Sequence, residues 1–128
     1  MPQTSHADRP STVPIKTFER AIEHRDEVIR RLREAFVRRD IAKKRMAHQE
    51  DVHEDIEHDL GDALRDRRCP LHTIDRIRRA KEDSLRHLAE FEDDCDGCAA
   101  DIAKWKKRVR LAEEEMERMR FEVVEDDE

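Results

Sequence analysis

The fold is decided by residues 74–123, IDRIRRAKEDSLRHLAEFEDDCDGCAADIAKWKKRVRLAEEEMERMRFEV. From Ile74 a strict 3-4 alternation picks out Ile77, Lys81, Ser84, Leu88, Phe91, Cys95, Cys98, Ile102, Trp105, Val109, Ala112, Met116, Met119 and Val123. The register holds for seven heptads, and 12 of the 15 positions are clearly apolar or Cys. A sustained 3.5-residue repeat is the mark of a coiled-coil seam, which an amphipathic helix on another kind of core rarely keeps for so long. Only Lys81 and Ser84, neighbours on the stripe, interrupt it with clearly polar side chains.

Upstream lies the one strong break in helical pattern, residues 67–73, RRCPLHT. Pro70 has no backbone N–H to give a helix interior and pushes the residue before it out of α geometry. Thr73 suits the N-cap of the helix that follows. Before the break, a second helical pattern runs through Ile15, Phe18, Ile22, Arg25, Ile29, Leu32, Phe36, Arg39, Met46, Val52, Ile56, Leu60 and Leu64. Its 3-4 spacing slips between Phe36 and Met46, as a stammer would. Two long helices joined by a short turn fold back on each other. The expectation is therefore an all-α, long antiparallel helical hairpin. Helix 1 covers about 15–66, the turn 67–73 and helix 2 about 74–122, with facing residues whose numbers add to roughly 138–142. Residues 1–13 read as a flexible arm and 123–128 as an acidic tail. Val28, Val37, Ile41, Leu85, Leu111 and Phe121 fall off the main seam and would cover a second hairpin, giving a four-helix dimer, or a partner protein. A break at Gly97, giving three shorter helices, is the competing arrangement.

Composition agrees. Of 128 residues, 47% are charged and 36% hydrophobic, with two glycines and no Tyr. No apolar run approaches the ~20 residues of a membrane span. All-β and doubly wound α/β folds lack their turn glycines and long apolar strands. The first residues carry no apolar secretory core, and three cysteines do not make a secreted disulfide framework, so the expected compartment is the cytoplasm.

The net charge of −6 hides banding. Residues 30–45 hold eight basic and two acidic side chains, whereas residues 50–62 hold seven acidic and none basic. Net charges of +5, −7, +5 and −7 follow for residues 65–81, 82–101, 104–110 and 113–128. Folding back would set Arg30–Arg39 beside Lys104–Arg110 and Glu50–Asp55 beside Asp83–Glu90, like beside like. Zones of like charge are suited to a partner of opposite sign, giving orientation and association rate more than affinity. The candidate contacts are a basic tip, Arg67, Arg68, Arg76 and Arg79, and a basic belt, Arg31, Arg38, Lys106 and Lys107. The acidic band comprises Glu50, Asp51, Glu54, Asp55, Glu90, Asp93 and Asp94.

Sites for chemistry are weaker. Cys95-Asp-Gly-Cys98 is a CxxC, but both thiols occupy seam positions in mid-helix, where core filling is the plainer role. Cys69-Pro-Leu-His72 could join it around one zinc ion only through a kinked helix or a second chain, because a straight helix between His72 and Cys95 would be ~33 Å long. Glu50-Asp-Val-His53 is one ExxH without the second copy a di-iron bundle needs. His53 facing His87 is the remaining metal candidate, together with Cys95 and Cys98. No phosphate loop, nucleophile elbow or HExxH is present. The expectation is no enzyme and no cofactor.

In size, charge content and hairpin pattern the chain is similar to the rod-like escort proteins of flagellar and type III secretion systems, and in style to small phage proteins that inhibit host complexes. No motif carries either likeness, so no residue role is transferred. The expected function is a non-catalytic protein–protein interaction module: an adaptor, escort or inhibitor docking on a larger assembly, itself a homodimer. The alternatives are a nucleic-acid-associated protein, or a phage-type inhibitor occluding a nucleic-acid-binding complex with its acidic bands, and then a metal-dependent helical dimer.

Overall fold

The structure, a computed structural model, describes residues 15–127, with side chains to residue 120. The expected arm at 1–13 and the last residue lie outside the described residues. Two helices account for nearly all the rest: α1 (Ile15–Arg65) and α2 (Leu71–Asp127), packed as an antiparallel hairpin. Neither helix is long and apolar enough to cross a membrane.

The turn is shorter than expected. Asp66 N–H still donates to Asp62 O at 3.1 Å, and Cys69 N–H closes a turn on Asp66 O at 3.1 Å. The Asp66 carboxylate accepts the Arg68 N–H at 2.9 Å, an Asx turn that replaces a glycine cap. No described residue has positive φ. Pro70, not Thr73, stands at the N-cap, its carbonyl accepting Thr73 N–H at 3.1 Å and Ile74 N–H at 3.3 Å. Proline fits there because the first amides of a helix have no partner to lose. Helix 2 thus begins three residues earlier than the expected Ile74, and Thr73 lies in its first turn. The register moves with it. Gln49 and His53 meet Ser84, and Glu57 meets Lys81, so facing numbers add to 133–138 rather than 138–142. The ends of the turn, Arg65 and Leu71, set that value.

α2 continues through Gly97 to Asp127, so neither the break at Gly97 nor a separate tail from residue 123 occurs. A Cβ at Gly97 would meet nothing within 4 Å, so this glycine serves no turn or close approach within the chain.

The helices pair in two units, one of residues up to 34 with 102 onward, the other of Ala35–Asp101. In both, every described α2 seam residue from Ile74 to Met119 is shielded from full exposure. The slip expected in α1 is absent. Its inward residues are Phe18, Ala21, Arg25, Val28 and Leu32 in the first unit. In the second they are Ala35, Arg39, Ala42, Met46, Gln49, His53, Ile56, Leu60 and Ala63, at unbroken 3-4 spacing. Small and polar residues at these positions hid the stripe. Val28, expected off the seam, is 3% exposed, and Ala35 and Ala42 join it in the core. Alanines let helix axes approach closely, so the most buried positions are among the smallest. Val37, Ile41, Leu85 and Leu111 do lie off the seam, each about half exposed. The side chain of Phe121 lies outside the described residues.

Arg39 shows the cost of a charged seam residue. Its guanidinium carbon sits 5.0 Å from the Phe36 ring centroid, while its buried Nε has no hydrogen-bond partner among the described residues.

Candidate partner-binding surfaces

The hairpin tip carries the first candidate surface. Arg67, Arg68, Arg76 and Arg79 are all exposed, and so is Arg78 between the last two. Around them charges are paired: Arg65 Nη1 lies 3.6 Å from Asp62, and Lys81 Nζ 3.9 Å from Glu57. Among the described residues the five tip arginines have no ion-pair partner. Leu71, at the start of α2, is 79% exposed, and Leu64 on the other side of the turn is 53% exposed. The α-helical spacing of Arg76 and Arg79 puts two like charges on one face, which disfavours the free state slightly. The sequence shows the arginines as a charge run but hides the two leucines, because Leu64 continues an apparent seam and Leu71 falls in the expected turn.

A groove in the first unit surrounds Trp105. It is lined by His24, Glu27, Val28 and Arg31 of α1 and by Lys104, Trp105, Arg108, Leu111, Ala112 and Glu115 of α2. Lys104 Nζ and Arg108 Cζ stand 5.2 and 4.8 Å from the indole centroid, so two cations share one aromatic face system. Of the four residues of the expected basic belt only Arg31 lines this groove, beside Lys104 and Arg108. Glu27 tempers them: Arg30 Nη2 approaches it at 2.6 and 2.8 Å, and Arg31 Nε at 3.1 Å. Hydrogen bonding from Arg30, then from Arg31, holds the Glu27 carboxyl below its ordinary value, and the same fork raises Arg30. Lys106 and Lys107 are exposed on α2.

Arg38 belongs to a different setting from the one expected. It lines a groove in the second unit with Ile41, Ala42 and Arg45, facing Asp93, Asp94, Gly97, Cys98 and Asp101. Basic therefore stands opposite acidic here. The other acidic-band residues, Glu50, Asp51, Glu54, Asp55 and Glu90, are exposed.

The polar interruption of the seam proves to be one matched layer. Gln49 Nε2 donates to Ser84 Oγ at 2.9 Å, and His53 Nδ1 lies 3.0 Å from the same oxygen. His53 Nε2 lies 2.9 Å from Glu57 Oε1. A carboxylate only accepts, so in the neutral ring Nε2 carries the proton and Nδ1 accepts from the Ser84 hydroxyl. Carboxylate, imidazole and hydroxyl stand in the order of an acyl-transfer triad. Ser84, however, is 2% exposed, and its hydroxyl is committed to both neighbours. Its place is structural: a satisfied polar layer fixes which residues of two helices face each other.

The metal candidates do not converge. His53 is held by Ser84 and Glu57, whereas His87 stacks on Phe91 at 6.5 Å and lies 3.7 Å from Glu90. Cys69, Cys95 and Cys98 are free thiols, each partly shielded, and Cys95 and Cys98 stand on the seam. No group of three or more potential ligands gathers among the described residues. Compared with protein-family models, with curated proteins and with solved structures, the chain matches none.

Proposed function

We propose that the chain is a non-catalytic interaction module, an adaptor, escort or inhibitor, that docks its hairpin tip on an acidic protein surface of a larger assembly. The observation that supports this reading is the state of the tip. Five exposed arginines without an ion-pair partner among the described residues flank Leu71 in the sequence at the tip, and Leu71 is 79% exposed. The arginine fork matches carboxylates two bonds at a time, and an exposed leucine on the same tip supplies an apolar anchor. The chain's own second copy is a further partner under this proposal.

The test replaces Arg67, Arg68, Arg76 and Arg79 by Glu and checks helix content by circular dichroism. Proteins captured by each form from the native host are then compared by quantitative mass spectrometry. Partners that disappear with the tip variant but stay when Arg31, Lys106 and Lys107 are reversed support tip docking. Loss through the belt variant alone, or loss through neither, defeats it. Fluorescence anisotropy with a labelled duplex covers the nucleic-acid reading. Tip-dependent binding with a steep salt slope would favour that alternative.

A further inference from the structure

The second-unit groove has two banks of opposite charge. On α1 stand Arg38, Ile41 and Arg45, and on α2 stand Asp94, Gly97 and Asp101. Each pair of like charges is seven residues apart, about 10.5 Å along a helix. Arg45, Asp94 and Asp101 make no ion pair among the described residues. Ile41 is 46% exposed, and Val37, one turn away, 58% exposed. At Gly97 the opposite bank has an open step, since nothing lies within 4 Å of the missing Cβ.

Such a face can meet a second copy of itself in two antipodal ways. A two-fold axis across the helices would lay α1 on α1 and α2 on α2, arginine on arginine and aspartate on aspartate. A two-fold axis along the helices lays α1 of each copy over α2 of the other, at equal height. Because Cβ atoms tilt toward a helix N-terminus, arginines on α1 and aspartates on the antiparallel α2 lean toward each other.

We propose that this groove is the seat of a second copy of the chain, paired about a two-fold axis parallel to the helices. Arg45 then meets Asp94 of the second copy, Arg38 meets its Asp101, and Ile41 fills the step at its Gly97. Isologous pairing repeats each contact twice, so four charge contacts flank two apolar ones. The charge pattern rejects the crossed arrangement by placing like on like. This pairing deepens the self-association part of the functional proposal and uses no tip residue.

Sedimentation equilibrium of the full chain at low salt tests it, with R45E/R38E and D94R/D101R as the two reversed forms and the single variants R45E and D94R as milder ones. Circular dichroism verifies the helices of each. The wild type is expected to dimerise, each reversed form to pair at least about tenfold more weakly, and their equimolar mixture to recover a heterodimer. A tip-reversed variant is expected to dimerise as the wild type does. A monomeric wild type, a dimer indifferent to both reversals, a mixture that stays monomeric, or a dimer abolished by the tip variant would each overturn the proposal. Failure of tip docking in the capture experiment would leave it standing.

Discussion

Ser84 Oγ lies 3.0 Å from His53 Nδ1 across the hairpin, and the two residues occupy seam positions where coiled coils ordinarily place apolar side chains. With Gln49 they form a closed polar set in which the hydroxyl both donates and accepts. A register error by one heptad would leave these groups facing apolar neighbours without partners.

Replacing Ser84 by Ala removes the acceptor of Gln49 and the donor to His53 while keeping a good helix former. Urea unfolding should show a loss of about 1–3 kcal/mol, the range for buried polar groups left unsatisfied. Replacing Gln49, His53 and Ser84 together by Leu should restore or exceed the original stability, because the layer specifies pairing more than it stabilises it.

Val28 and Val37 give a paired test of the α1 seam. Val28 is 3% exposed and Val37 58% exposed. Val28→Ala should cost about 1–2.5 kcal/mol in the same assay, and Val37→Ala no more than about 0.5 kcal/mol.

Gly97 lies in mid-helix with an empty space where a side chain would stand. Gly97→Ala should raise stability by about 0.5–1 kcal/mol, through lower chain entropy in the unfolded state and better helix propensity. A thermal melt of dilute protein reads this directly. An unchanged or lower midpoint would contradict a continuous α2.

Glu27 is held below the ordinary carboxylate value by hydrogen bonding from Arg30 and then from Arg31. A carboxyl lowered on folding contributes its stability above the ordinary, unfolded value and loses it as pH falls through the lowered, folded one. The contribution belongs to neutral and mildly acidic pH and fades only in stronger acid. Carboxyl NMR titration should place Glu27 below the ordinary glutamate value, and added salt should narrow the difference, since its ion pairs are open to solvent.

The α2 seam was legible because nearly every one of its positions carries a large apolar residue or Cys. The α1 seam was not, because Ala35, Ala42, Gln49 and His53 lie inward while Val37, Ile41 and Leu64 lie outward. Hydrophobic periodicity reads side-chain chemistry, and here a helix partner accepts small and polar groups that only the facing residues explain. The tip arginines were visible as a charge run, but their lack of partners is a property of three-dimensional neighbours. The opposed banks of Arg38 and Arg45 against Asp94 and Asp101 are hidden when whole charge blocks are paired, because that sets like beside like and passes over Arg45, Asp94 and Asp101.

Every surface described here depends on which residues of α1 face which of α2. The most direct test is a nuclear Overhauser measurement between His53 ring protons and Ser84 β-protons, filtered to contacts within one chain. Strong cross-peaks between His53 and Ser84, with Gln49 side-chain amide protons joining them, are the expected result. Cross-peaks from His53 to Ile77 or Phe91 instead, one heptad to either side, would contradict the register and the surfaces built on it.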